Sequence, residues 1–290
     1  MQVHLIDGTY ELYRQHFGQV SAHKDPPPNA GTIGVLSSTI QLLADGATHI
    51  GVATDHIIES FRNELYDGYK TSEGMEQVLL EQIPVLEDAL VAMGVTVWPM
   101  IDYEADDALA SAVAVACDDR RVHKVLILTP DKDLGQCVQG KRVVQLDRRN
   151  NIFIDEQALL AKFGVGPDSI VDYLALVGDS ADGFPGLSGW GAKSASTVLA
   201  KYLKIDAIPD DHLQWAQDGV IVRSAEKLAT TLRANRADAE LFRILATLVT
   251  TVPVGTVDEW KWSGPTDRFA EVADSLGATQ LVDRLRRLIK

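Results

Sequence analysis

A short apolar run followed by an acid recurs along this 290-residue chain, and that repeat limits the fold more than any other feature. Residues 3–6, 49–54, 95–99, 125–128 and 143–146 read as buried strands. Residues 9–17, 34–43, 75–93 and 105–117 read as helices between them, the third interrupted near Pro84. Strands alternating with helices imply an α/β fold, a mostly parallel sheet flanked by helices on both faces. Open sheets of this kind bind ligands at the carboxyl ends of their strands. Most of nine carboxylates, in five clusters, fall at such strand ends or at helix starts. They are Asp7; Asp55; Glu104 with Asp106 and Asp107; Asp131 with Asp133; and Asp179 with Asp182.

Two carboxylates about 4 Å apart repel by roughly 4 kcal/mol at an effective dielectric of about 20. Gathering nine in one crevice therefore calls for cations. The reading that follows is a divalent-metal site, for two ions, working on a phosphate. The net charge of −14, from 41 acids and 27 bases, argues at face value against a nucleic-acid partner. Setting the nine aside leaves 32 acids against 27 bases, a net −5. Any DNA contact must then be local and salt-sensitive.

Each cluster has a plainer reading. Asp7, before Gly8-Thr9, suits a turn or helix N-cap. It also invites comparison with the haloacid dehalogenase phosphatases, but their second aspartate is Leu5 here. Glu104 and Asp107 share a helix face, and acids there suit the helix dipole; three exceed what capping needs. Asp131 and Asp133 point the same way if their backbone is extended. Asp179 and Asp182 sit in the Gly-rich segment 178–191, where Asx turns are common. Gly189 and Gly191 allow a tight turn and a close approach of backbone N–H groups to a phosphate, with Lys193, Lys201 and Lys204 nearby. Arg62 and Lys70, shortly after Asp55, suit a phosphate, and Tyr69 a base.

The N-terminus has neither a basic region nor a long apolar core of a signal peptide, and residues 108–117 are too few to span a bilayer. Cys117 and Cys137 lack metal-type spacing and read as core residues of a reduced, cytoplasmic protein. The strand signal fades near residue 155, where a boundary is drawn. Domain 1–155 is the α/β core; 156–290 is helical, as at 225–249 and 267–290.

Read in order, the motifs resemble the 5′-nuclease (flap endonuclease) superfamily, bacterial 5′–3′ exonuclease branch. The segments are Leu5-Ile6-Asp7-Gly8; Asp55 with Phe61-Arg62 and Tyr69-Lys70; Tyr103-Glu104-Ala105-Asp106-Asp107; Leu128-Thr129-Pro130-Asp131-Lys132-Asp133-Leu134; and Leu176-Val177-Gly178-Asp179-Ser180-Ala181-Asp182-Gly183-Phe184-Pro185-Gly186. The match runs from Met1 through Tyr202, more loosely beyond. The resemblance implies a PIN-like α/β nuclease core and a helical DNA-binding region with a helix–hairpin–helix at about 183–204. It implies hydrolysis of DNA near 5′ ends of branched or recessed duplexes, in replication and repair, by a monomer with no membrane contact.

All nine family carboxylate positions are acids here, so the resemblance implies two Mg²⁺ or Mn²⁺ ions, with K⁺ a further expectation at the hairpin. It assigns Lys70 and Arg62 to the scissile phosphate, and Tyr69, Gly189, Trp190, Gly191, Lys193 and Ser194 to DNA. With no polymerase region after Lys290, the chain resembles the stand-alone exonucleases. Two departures stand out. The family's Tyr-Lys-Ala-Asn-Arg is Tyr69-Lys70-Thr71-Ser72-Glu73, and the stretch expected to arch over the 5′ strand carries Glu73, Glu76 and Glu81. His56 and Thr54 flank Asp55 where the family has Ala and Phe. A DNA-binding relative without useful catalysis and a PIN-like ribonuclease are the alternative readings.

Overall fold

The computed structural model describes residues 1–22 and 27–289. In chain order the elements are β1 (Gln2–Asp7), α1 (Gly8–Ala22), α2 (Ala30–Ala44), β2 (His49–Asp55), α3 (Arg62–Leu65), α4 (Gln77–Ala92), β3 (Thr96–Met100), α5 (Ala105–Asp118) and β4 (Lys124–Leu128). A 3₁₀ turn (Asp133–Cys137), β5 (Val143–Asp147), β6 (Ile152–Ile154), α6 (Glu156–Phe163), α7 (Ile170–Val177) and α8 (Ala192–Tyr202) follow. The chain ends through α9 (His212–Gln217), α10 (Ala225–Ala234), α11 (Arg236–Ala246), α12 (Phe269–Ser275) and α13 (Gln280–Arg286). Of the surface loop expected at 21–30, residues 23–26 lie outside the described residues; Ser21 and Ala22 complete α1.

Contacts divide the chain into two compact units. One comprises Met1–Ser60, Ser72–Thr129 and Val249–Lys290; the other comprises Phe61–Thr71 and Pro130–Leu248. This differs from a single cut near residue 155, because packing returns the C-terminal helices to the first unit. There α12 lies on α4 and α13 on α2.

The first unit holds four parallel strands in the order β3-β2-β1-β4. Val3, Leu5, Ile6, Val52, Val125 and Ile127 are fully buried in them, as strands covered on both faces require. Helix α5 packs on β1, β2 and β3, α1 on β2, and α4 on β3. Gly8 is needed where α1 leaves β1: a Cβ there would stand 2.8 Å from the Ala53 carbonyl oxygen.

Helix α4 corrects one expectation, since it runs unbroken through Pro84. Proline inside a helix costs about 3 kcal/mol. Leu79, Ile83, Leu86 and Leu90 are buried on both sides of it. Each such side chain contributes roughly 1.5–3 kcal/mol, enough to outweigh the proline.

The second unit has a core built on Leu174, Leu176, Phe184, Trp190, Trp215 and Phe242. Strands β5 and β6 pair antiparallel. Their turn is held by Asp147, whose Oδ1 accepts from the N–H groups of Arg149 and Asn150. The three-residue β6 is too short to show a period in the sequence. Cys117 is half-buried and Cys137 buried. Among the described residues no helix is long and apolar enough to cross a membrane.

Candidate metal centre and nucleic-acid interface

In the first unit Asp7 and Asp55 end adjacent parallel strands. Asp7 is in register with Ala53, two residues before Asp55. Side chains two apart in a strand point to the same face, so both carboxylates leave the sheet on one side. Each also starts a helix. Asp7 Oδ1 accepts from the Tyr10 N–H at 2.8 Å, and Asp55 Oδ1 from the Ala105 N–H at 2.8 Å. Glu104 caps α5 and accepts from Ser60 Oγ at 2.7 Å.

Asp107 is 0% exposed. Its Oδ2 accepts from Glu104 N–H at 3.0 Å and its Oδ1 from Val249 N–H at 2.8 Å. Both oxygens thus serve backbone donors. The capping role set out above describes Asp107, which positions Glu104. Asp106, one residue earlier, is half-buried.

The second unit gathers its acids differently. Carboxylate oxygens of Asp133, Asp179 and Asp182 lie within 4.8 Å of one another, and all three residues are buried. Asp179 Oδ2 meets Lys132 Nζ at 2.6 Å, and Asp182 Oδ1 meets Lys70 Nζ at 2.9 Å. Asp133 Oδ1 is buried with no hydrogen-bond partner. Burial, then the charges of Asp131, Asp182 and Asp179, pushes the Asp133 carboxyl well above the usual carboxylate range. Burial alone would lower the Lys132 ammonium, but its bond to Asp179 and the neighbouring aspartates hold it above its usual value. Hard oxygen donors, crowded, with one oxygen unserved, fit a divalent cation such as Mg²⁺ or Mn²⁺.

Local backbone explains this gathering. Lys132 has φ −70° and ψ −28°, and a 3₁₀ turn begins at Asp133. Asp131 Oδ1 accepts from the Asp133 N–H at 3.0 Å. The expectation of extended backbone at 131–133 is therefore corrected. A turn leaves Asp131 exposed and Asp133 buried, and brings Lys132 onto Asp179. A period of two passes over Lys132, whose place between two acids is the signal for its contact with Asp179. Lys70 is placed by its backbone. Its N–H donates to the Asp182 carbonyl at 2.9 Å, and a Cβ on Gly183 (φ +87°) would come 2.1 Å from the Gly68 carbonyl oxygen.

Three expected site residues are structural. Arg62 is 1% exposed, and its guanidinium donates to the carbonyls of Leu245 at 2.8 Å and Thr247 at 2.9 Å. It ties α3 to the end of α11 rather than facing a phosphate. Tyr69 is 4% exposed and Trp190 6%, both within the second unit's core. Trp190 packs on Trp215 with ring centroids 6.0 Å apart. Neither ring has a free face for a base. Gly189, Gly191 and Lys193 remain exposed, and Ser194 Oγ accepts from the Gly191 N–H at 3.0 Å at the start of α8. Gly189 takes φ +86°, as the tight turn requires.

Residues 2–164 match the family described as 5′-3′ exonuclease, N-terminal resolvase-like domain, and residues 165–268 the 5′-3′ exonuclease, C-terminal SAM fold. A 5′-3′ exonuclease of Aquifex aeolicus (strain VF5) is 31% identical over 263 residues, 89% of this chain and 85% of that one. DNA polymerase I of Pseudomonas aeruginosa is 30% identical over 287 residues; this chain spans 29% of that relative. Among solved structures, the T5 D15 protein co-crystallised with metal ions has TM-score 0.67 at 17% identity, covering 99% of this chain and 98% of that one. The catalytic core of Rad2 in complex with DNA substrate has TM-score 0.62 at 16% identity, covering 100% and 92%. These two likenesses are of fold. With both family descriptions matched in order and the acids of the second unit gathered as described, the chain belongs to the 5′-3′ exonuclease family.

Proposed function

We propose that the protein is a structure-specific, divalent-metal-dependent 5′ nuclease that hydrolyses DNA phosphodiesters near the 5′ ends of branched or recessed duplexes. Family membership supports the reaction class. The observation that carries the chemistry is the orphan Oδ1 of Asp133 inside a buried acid cluster. Asp7, Asp55, Glu104, Asp106, Asp131, Asp133, Asp179 and Asp182 are the candidate ligands for two Mg²⁺ or Mn²⁺ ions. The chemistry such ions supply when bound is a lowered pKa for water and Lewis-acid polarisation of the phosphate.

The chain's own residues supply the rest. The Lys70 side chain, 29% exposed and beside Asp182, can turn its ammonium to a non-bridging phosphate oxygen. There it stabilises the negative charge that builds in the transition state. Asp107 holds Glu104 in place. Gly189, Gly191, Lys193 and Ser194 hold duplex backbone at the start of α8, away from the reacting bond, and K⁺ is the cation proposed at that turn. Contacts of this kind position DNA without reading its sequence. The protein is proposed to act as a monomer in the cytoplasm.

A second reading rests on Glu73, Glu76 and Glu81, all exposed. Acids facing an incoming 5′ strand repel it, which suits a relative that binds DNA structures without cutting them. The test compares matched DNA and RNA 5′-flap duplexes with Mg²⁺ or chelator. Metal-dependent cutting of the DNA flap near its junction is expected. Preference for RNA would mark a ribonuclease, and binding without cutting a non-catalytic relative.

A further inference from the structure

In the second unit the backbone carbonyls of Asp131 and Asp133 each meet the side-chain amide of a glutamine. Gln145, 1% exposed on β5, donates from Nε2 to the Asp131 carbonyl. Gln136, inside the 3₁₀ turn, donates from Nε2 to the Asp133 carbonyl at 2.8 Å and to the Ala246 carbonyl at 3.0 Å. Its Oε1 accepts from the Leu248 N–H at 3.1 Å. The Gln136 amide fits only one way round, since two carbonyls need its NH₂ group and one N–H needs its oxygen.

These bonds constrain the acids beside them. The direction of a carbonyl is set by ψ of its own residue, and the side chain leaves the same Cα. A residue whose carbonyl is held has therefore lost much of its freedom to swing its carboxylate. That freedom matters where carboxylate oxygens of Asp133, Asp179 and Asp182 lie within 4.8 Å of one another, because like charges turn apart unless they are held. The bond from the Asp133 N–H to Asp131 Oδ1 is local and moves with the turn. Gln145 and Gln136 instead tie the turn to β5 and to residues 246–248.

The chemistry chosen is also informative. Arg62 holds the same segment through the carbonyls of Leu245 and Thr247, with a charged group and no bond to the acid turn. Where the bond reaches Asp131 or Asp133, the donor is a neutral amide. Lys132 and Lys70 already set two positive charges against the cluster. A third cation would cancel charge that a divalent ion needs, whereas an amide supplies donors and leaves the charge intact.

We propose that Gln136 and Gln145 are positioning residues of the metal centre, which aim the Asp131 and Asp133 carboxylates by holding the carbonyls of the same two residues. The proposal rests on the metal-dependent nuclease reading and deepens it.

The test is Mn²⁺ binding without DNA, followed by electron paramagnetic resonance of the free ion, beside flap cleavage across a Mn²⁺ series. Gln136→Met and Gln145→Met should each weaken Mn²⁺ binding about tenfold, within the range for removing a partner that orients a metal ligand. Half-saturating Mn²⁺ for cleavage should rise by the same factor, with kcat at saturation nearer to wild type. Gln136→Glu separates position from charge. An added negative charge alone strengthens cation binding, whereas loss of the two donated bonds weakens it, and weakening is expected. Arg62→Met, which loosens the same segment, should leave Mn²⁺ binding unchanged. Thermal melting in chelator checks folding, and Gln136→Glu carries the test should the methionine variants not fold.

Folded glutamine variants that bind Mn²⁺ as wild type does, or a tighter-binding Gln136→Glu, overturn the positioning role and leave the nuclease reading standing. Equal weakening in Arg62→Met and Gln136→Met assigns the effect to the segment and overturns it too. Wild-type protein that binds no Mn²⁺ overturns both. Mn²⁺ binding that weakens in the variants, without cleavage by wild type, supports the positioning and overturns the nuclease reading.

Discussion

Asp7, Asp55 and Asp107 of the first unit spend their oxygens on backbone N–H groups at helix starts, whereas in the second unit Asp131 and Asp179 each accept one local N–H and Asp133 keeps a buried oxygen that accepts none. Asp7, Asp55 and Asp107 each accept at least one main-chain N–H and hold the start of a helix. Asp133, Asp179 and Asp182 crowd together, with two lysines against them and one buried oxygen unserved. Carboxylates of the first kind stabilise the fold with or without an ion. Those of the second kind repel one another until a cation arrives, since like charges about 4 Å apart cost roughly 4 kcal/mol at an effective dielectric of about 20. Composition does not separate the two kinds. What separates them is crowding among acids and a buried oxygen left without a donor.

The largest expected effect is at Asp133. Asp133→Asn should lower cleavage by about 10²–10³-fold, the scale of losing one group that stabilises transition-state charge. Its melting temperature should hold or rise, because the amide removes a repelling charge. A large loss of stability instead would place Asp133 with the backbone-served acids. Asp107→Ala should do the reverse. It leaves the N–H groups of Glu104 and Val249 without acceptors, at about 1–3 kcal/mol each in denaturant unfolding.

The cations divide in the same way. Lys70→Ala should reduce cleavage by about 10²-fold with little change in stability. Arg62→Met should cost about 1–3 kcal/mol of stability, through the carbonyls of Leu245 and Thr247, and leave kcat within a few-fold of wild type. Loss of kcat in folded Arg62→Met would return Arg62 to the phosphate.

The smallest effect is on stability against pH in chelator. The Asp133 carboxyl is raised in the folded state above its ordinary value of 3.8. The folded protein therefore binds that proton more tightly than the unfolded chain does. This contribution is full below about pH 3.8 and is lost as pH rises through the raised value. The metal-free wild type should lose stability over that rise, while Asp133→Asn should not, and Mg²⁺ should restore the loss. Equal profiles for the two proteins would break the distinction between the acid sets.

Much of the fold was legible because strand and helix periods are local. An apolar run ending at Asp7 or Asp55, and an acidic start to α5, need only a few neighbouring residues to be read. Strand β6 and the unbroken α4 were less legible, one for brevity and the other because distant packing outweighs a local proline. At the site, residue type misled. Arg62 looks like a phosphate ligand until its carbonyl partners arrive from more than 180 residues downstream. Tyr69 and Trp190 look like base platforms, yet aromatic rings fill cores as readily. Lys132 was hidden by the assumption of extended backbone.

The most direct test of the account is the rate of 5′-flap cleavage by wild type and Asp133→Asn across a Mn²⁺ titration. The account predicts saturable, metal-dependent cutting near the junction by wild type, nearly abolished in a folded Asp133→Asn. Equal rates and equal metal dependence for the two proteins would contradict it.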